Sequence, residues 1–131
     1  MYTVQLVINP LTVASLPAEI TIKVPPCIVR GVEITHPTGC ASLVGIWFEY
    51  QSNRLWPIET NTYYLGNGSP IVFNPDRELS ESPFELTIKG YNSDDTYIHR
   101  PLIVIDVDFI KIESVGFTQS ELNELRELFG L

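Results

Sequence analysis

Hydrophobic and polar residues alternate with a period of two through most of this chain. In SLVGIWFEYQ, Val44, Ile46, Phe48 and Tyr50 are apolar, while Leu43, Gly45, Trp47 and Glu49 occupy the other phase. Side chains two apart share one face of a β-strand, so this segment is expected to be a central strand. SPFELTIKGY shows the same period, with Phe84, Leu86 and Ile88 directed at a core and Glu85, Thr87 and Lys89 at water. Further groups are Tyr2, Val4, Leu6 and Ile8, then Ile20, Ile22 and Val24, then Ile28, Val32 and Ile34, and a short run PIVF follows the turn signal LGNGS. In PLIVIDVDFIKI the phase of Ile103, Ile105, Val107 and Phe109 changes at Ile110 and Ile112, which predicts a β-bulge or bend near Phe109.

Chain breakers separate these runs: Asn9-Pro10, Pro25-Pro26, Pro37-Thr38-Gly39, Ser52-Asn53, Gly66-Asn67-Gly68, Asn74-Pro75-Asp76, and Asn92 to Asp95. About 7–8 short strands with frequent turns predict an all-β fold, an antiparallel β-sandwich or barrel of jelly-roll-like form. No long helical segments alternate with the strands, which argues against a parallel α/β sheet.

One helix is predicted, in GFTQSELNELRELFGL. Thr118 as N-cap with Glu121 three residues on makes a capping box, Phe117 and Leu122 occupy staple positions, and Gly130 suits the C′ position. Leu122, Leu125, Leu128 and Phe129 form a narrow apolar stripe. A helix of about three turns is marginal alone in water and must dock on something. Residues 1–116 are therefore expected to form the β-sandwich and residues 117–131 a C-terminal amphipathic helix, either part of the same domain or an assembly arm. Because the stripe is narrow and Ser114, Val115 and Gly116 give a pliable hinge, docking on a neighbouring subunit is the favoured outcome.

Composition narrows the class. A chain of 131 residues with 44% hydrophobic and 18% charged residues suits a packed globular domain. The formal net charge of −8, with Lys and Arg scattered, disfavours nucleic acid and anionic membranes as partners. The N-terminal MYTVQLVINPLTV has no basic n-region and no continuous apolar h-region, and no stretch reaches the roughly 18 apolar residues of a membrane span. Synthesis in the cytoplasm without a signal peptide is expected, and with it free thiols at Cys27 and Cys40 rather than a disulfide.

Candidate chemistry centres on YNSDDTYIHRP, where Asp94 and Asp95 precede His99. Calcium ligation lacks the acidic ligand and turn glycine of an EF-hand loop, and acid/base catalysis lacks a partner pattern. The expectation is a turn in which Asn92, Ser93 and Asp94 cap backbone groups and Tyr97 covers them. Asp106 and Asp108 share a strand face and are expected in solvent or at a subunit interface. Cys27, His36, Cys40 and His99 do not match zinc spacing, so no metal, cofactor or catalytic residue is assigned. Asn67-Gly68-Ser69 is a sequon but reads as a turn.

The aromatic residues Trp47, Trp56, Tyr63, Tyr64 and Tyr91 suit either a protein interface or a ring-lined ligand surface, with core packing as the alternative. The expected interface residues are Leu43, Trp47, Trp56, Tyr63, Tyr64, Leu122, Leu125 and Leu128. Small acidic β-sandwiches with a helical appendage and no catalytic signature look like the building and decorating proteins of virus particles, an association of fold alone. The leading expectation is thus a non-enzymatic structural or interaction module that forms a homo-oligomer, trimer or dimer, and joins a larger protein assembly such as a virion. The alternative is a carbohydrate- or small-ligand-binding module. A hydrolase or isomerase using Asp94, Asp95 and His99 comes third.

Overall fold

The computed structural model describes residues 1–112 and 115–130; Ser114 of the expected hinge and Leu131 of the expected helical segment lie outside them. Among the described residues are strands β1 (Tyr2–Gln5), β2 (Ala18–Lys23), β3 (Cys27–Thr35), β4 (Val44–Tyr50), β5 (Asn53–Trp56), β6 (Tyr64–Leu65), β7 (Pro70–Phe73), β8 (Arg77–Leu79), β9 (Glu85–Asn92) and β10 (Leu102–Phe109), then helix α1 (Gln119–Phe129). They form two antiparallel sheets, β1-β10-β3-β7 and β2-β9-β4-β5, that enclose one hydrophobic core.

Two edges are interrupted. β7 pairs with the end of β3 and β8 with its start, while β5 and β6 share one edge of β4. Asn74-Pro75-Asp76 breaks the first of these: Pro75 has no N–H to donate, and Asp76 adopts a left-handed φ of 46°. Counting each interrupted edge once, the sheets read 1-8-3-6 and 2-7-4-5. Each strand in the first half of the chain is then antiparallel to its mirror in the second half, the arrangement of one long hairpin rolled into a double sheet, which is a jelly roll.

The alternating residues fill the space between the sheets. Val4, Leu6, Ile8, Val32, Ile34, Ile103 and Ile105 come from one side, and Ile46, Phe48, Leu86 and Ile88 from the other, all buried. The central strand expected at Val44–Tyr50 is β4, flanked by β9 on one side. The bulge lies elsewhere than expected. Asp106 pairs with Gly31 and Val107 with Val29, leaving Arg30 as the extra residue of β3. The inward phase of β3 therefore changes from Cys27 and Val29 to Val32 and Ile34, and Ile28, grouped with the latter two by sequence, is only half-buried. β10 ends at Phe109, whose side chain is exposed, so the phase change at Ile110 marks the end of a strand rather than a bulge.

Helix α1 forms with both caps as expected. The Glu121 amide donates to Thr118 Oγ1 at 3.2 Å, the Thr118 amide donates to Glu121 Oε1 at 3.0 Å, and Gly130, with φ 70°, donates its N–H to the Arg126 carbonyl at 2.9 Å. The helix is seated on its own chain. Leu125 is fully buried, the Phe117 ring meets Phe84 edge-on at 5.9 Å, and the Ser82 hydroxyl donates to the Glu124 carboxylate. Leu122 is half-buried and Leu128 is exposed, so the apolar stripe is used along one line only.

Candidate functional site

Three connections meet at one end of the sandwich: β1 to β2, β3 to β4, and β9 to β10. Backbone hydrogen bonds tie them together. Ile8 and His99 exchange both amide bonds at 2.9 and 3.1 Å, the Leu11 amide donates to the Asp94 carbonyl at 3.0 Å, the Asn92 amide to Thr12 at 2.9 Å, and the Ser93 amide to Leu43 at 2.9 Å.

Asn92 is the buried anchor of this end. Its carboxamide donates to the carbonyls of Ile8 (3.1 Å) and Tyr97 (2.9 Å) and accepts from the Asp94 amide (3.0 Å). Asp94 then closes the turn as an Asx cap. Its Oδ1 accepts from the amides of Thr96 (2.9 Å) and Tyr97 (3.3 Å), and its Oδ2 lies 2.8 Å from His99 Nε2. The Thr96 amide above all, and then the His99 contact, holds the Asp94 carboxyl below the usual carboxylate range. Asp95 is exposed and accepts from the Thr96 hydroxyl. The expected turn chemistry at Asn92 and Asp94 is present, and both oxygens of Asp94 are engaged in it. Tyr97 departs from expectation: it is 66% exposed rather than packed over the turn.

Beside exposed polar residues such as Asp95 and Thr96, this ordered end presents a group of exposed apolar side chains. Leu11 (66% exposed), Val13 and Leu16 stand on the first connection, Leu43 on the second, and Tyr97 and Ile98 on the third. Leu43 was expected at an interface. The others escaped the strand-based reading, although NPLTVASLP carried a usable signal: apolar residues among breakers belong to no strand face and have no core to join.

Trp47 was expected to stand uncovered on the outer face of β4. It is only 5% exposed, because its own chain covers it. The Arg54 guanidinium sits 5.1 Å over the Trp47 ring and 5.0 Å over Tyr63, and Tyr63 meets Trp47 edge-on at 5.1 Å and Tyr91 at 4.9 Å. Arg54 is fixed by donating to the carbonyls of Pro57, Glu59 and Thr62. Trp47 Nε1 donates to Glu49, which pairs with Lys89 at 3.2 Å, and Lys89 reaches Glu19 at 3.5 Å. Tyr91 lies flat across β4 at Gly45, where a Cβ would come within 2.2 Å of its ring. Between Tyr63, Tyr91 and the segment from Leu11 to Ala14 runs an open groove of about 420 Å³.

Trp56 and Tyr64 face inward rather than outward. With Phe48 and Phe73 they make an aromatic cluster in which Tyr64 stacks on Phe73 at 4.9 Å and Trp56 meets Phe48 edge-on at 5.5 Å. Asp106 and Asp108 are exposed as expected, and Arg30 bridges Asp108 and Asp76. Cys27 and Cys40 are buried free thiols. Among the described residues, no three His, Cys, Asp or Glu side chains are placed to hold a metal, and no helix is long and apolar enough to cross a membrane. No protein-family model and no curated protein matches the chain.

Proposed function

We propose that the protein is a non-enzymatic structural or interaction module that self-associates into a closed dimer or trimer and grips a larger protein assembly, a capsid-decorating protein of a virus particle being its most concrete form. The observation that carries this reading is the apolar end of the sandwich. Leu11, Val13, Tyr97 and Ile98 stand outward on connections cross-tied by backbone hydrogen bonds such as Leu11 to Asp94 and Asn92 to Thr12, which lowers the ordering cost a partner would meet. Jelly rolls serve viral capsids and lectins alike, which supports the reading by analogy of fold only. The net charge of −8 keeps nucleic acid and anionic membranes out of the proposal. The test is the paired substitution Leu11→Glu with Tyr97→Glu. Both side chains are exposed, so the melting temperature should hold while the oligomer falls to monomer; an unchanged mass would refute the assignment of the surface.

A second reading rests on a different observation, the groove walled by Tyr63 and Tyr91. Tyrosine rings with apolar faces and polar tips suit a carbohydrate or other small ligand. A glycan screen in which binding is lost on Tyr63→Ala would favour it over the first.

A further inference from the structure

Among the described residues, Nδ1 and Nε2 of His36 are the only buried side-chain nitrogen or oxygen atoms without a well-formed hydrogen bond; the backbone of Tyr64 and Val44 lies near the ring but outside full hydrogen-bond geometry. His36 follows β3 on the inward phase of Val32 and Ile34 and is fully buried. A turn at 65–69 lies over it. A Cβ at Gly66 would stand 3.0 Å from Nδ1, so the backbone approaches the ring as closely as glycine permits. Three bonds hold the turn down: the Gly68 amide to the His36 carbonyl (2.8 Å), the Ser42 amide to the Gly66 carbonyl (3.2 Å), and the Gly39 amide to Asn67 Oδ1 (2.8 Å). Preceding the turn, β6 is joined to β4 only opposite Gly45 and Ile46.

The ring is faced by the backbone of Val44 on β4, the backbone of Tyr64 on β6, and Gly66 of the turn; among the described residues no carboxylate pairs with it and no cation is set against it. Burial pushes the imidazole pKa down, against a smaller opposing pull from the backbone of Tyr64 and Val44. A neutral ring fits this site, whereas an imidazolium would be a buried charge without a counter-ion.

We propose that His36 is an acid-sensitive latch: protonation of its ring lifts the turn at 65–69, and β6 with it, from the edge of β4. The proton enters when the turn opens and keeps it open. Because Tyr64 of β6 stacks on Phe73, opening uncovers the aromatic cluster of Phe48, Trp56 and Phe73. The latch acts on a local element and leaves the paired long strands β3, β9 and β10 in place.

The test is amide hydrogen exchange of the whole chain, followed by NMR at pH 7.5 and pH 5 and corrected for intrinsic rates. If the closed ring takes no proton and the open ring has the ordinary value of about 6.5, opening increases by a factor of 1 + 10^(6.5 − pH), about thirtyfold at pH 5. Exchange at Ser42 and Gly68 should accelerate toward that limit while Ile88 and Ile105 do not change. His36→Phe should keep the two turn amides at their neutral-pH rate in acid. Equal acceleration in His36→Phe would assign the effect to another group and overturn the proposal, as would a flat rate in the native protein. Should the variant not fold, the native His36 ring decides: a ring resonance that titrates with the turn amides still protected overturns the latch, and one that titrates together with their loss of protection upholds it.

Discussion

His99 Nε2 lies 2.8 Å from Asp94 Oδ2, and the two side chains are almost closed to solvent at the knot where three connections meet. The folded state holds the Asp94 carboxyl below its ordinary value of 3.8, so the unfolded chain binds its proton more readily. The stability this supplies is complete above that ordinary value and is lost as the pH falls through the lower folded one. Melting temperature measured from pH 7 to pH 2.5 should therefore drop more steeply below about pH 4 in the native protein than in Asp94→Asn, which should be the less stable of the two at pH 7. Parallel curves would show that the hydrogen bonds of the carboxylate, to the Thr96 amide first and then to His99, contribute nothing to this pH dependence.

Trp47→Ala should be a stability variant rather than an assembly variant. Its ring is covered by Arg54 and Tyr63, so removal leaves a hole on the outer face of β4 and frees the guanidinium from its stacking partner. A loss of about 3 kcal/mol is expected from chemical denaturation, with the oligomer mass unchanged at concentrations where the variant is folded. A dissociated but equally stable variant would contradict this placement.

The seat of the helix makes Leu125 its point of attachment. Leu125→Ala should cost about 2–5 kcal/mol, the range for a buried leucine, whereas Leu128→Ala, at an exposed position, should cost a small fraction of that. Thermal unfolding of the two variants side by side distinguishes this from a helix docked on a neighbour, for which the two would differ little in the monomer.

Both thiols should be silent in the folded protein. Burial pushes Cys27 up to about 11 against a weak lowering by the N-terminal ammonium, and burial raises Cys40 as well. A thiol-specific chromogenic reagent at pH 8 should find no reactive cysteine until denaturant is added, and then two. Immediate reaction of either would contradict its burial.

The period of two was legible because a sheet with one face in a core enforces it, so β1, β4, β9 and most of β10 could be read from residues such as Ile46, Phe48, Leu86 and Ile103. The helix was legible for a different reason: its caps are local, with Thr118, Glu121 and Gly130 each within one turn of the group it satisfies. What could not be read was set by partners distant in sequence. The bulge at Arg30 depends on register against Asp106 and Val107, and the covering of Trp47 depends on Arg54 being turned back by the carbonyls of Pro57, Glu59 and Thr62. Leu11 is brought to the Asn92–Asp94 turn by hydrogen bonds between the first and third connections, which no local pattern states. The turn at Asn92 and Asp94 lay between these cases: its capping is local and was readable, while its burial under the first connection was not.

Self-association through the end that carries Leu11 and Tyr97 is put to the test by sedimentation equilibrium of the unmodified chain across low to high micromolar concentration. The mass should rise to that of a dimer or trimer and then stay there, as a closed ring of identical contacts requires. A mass that remains that of one chain at the highest concentration would contradict it.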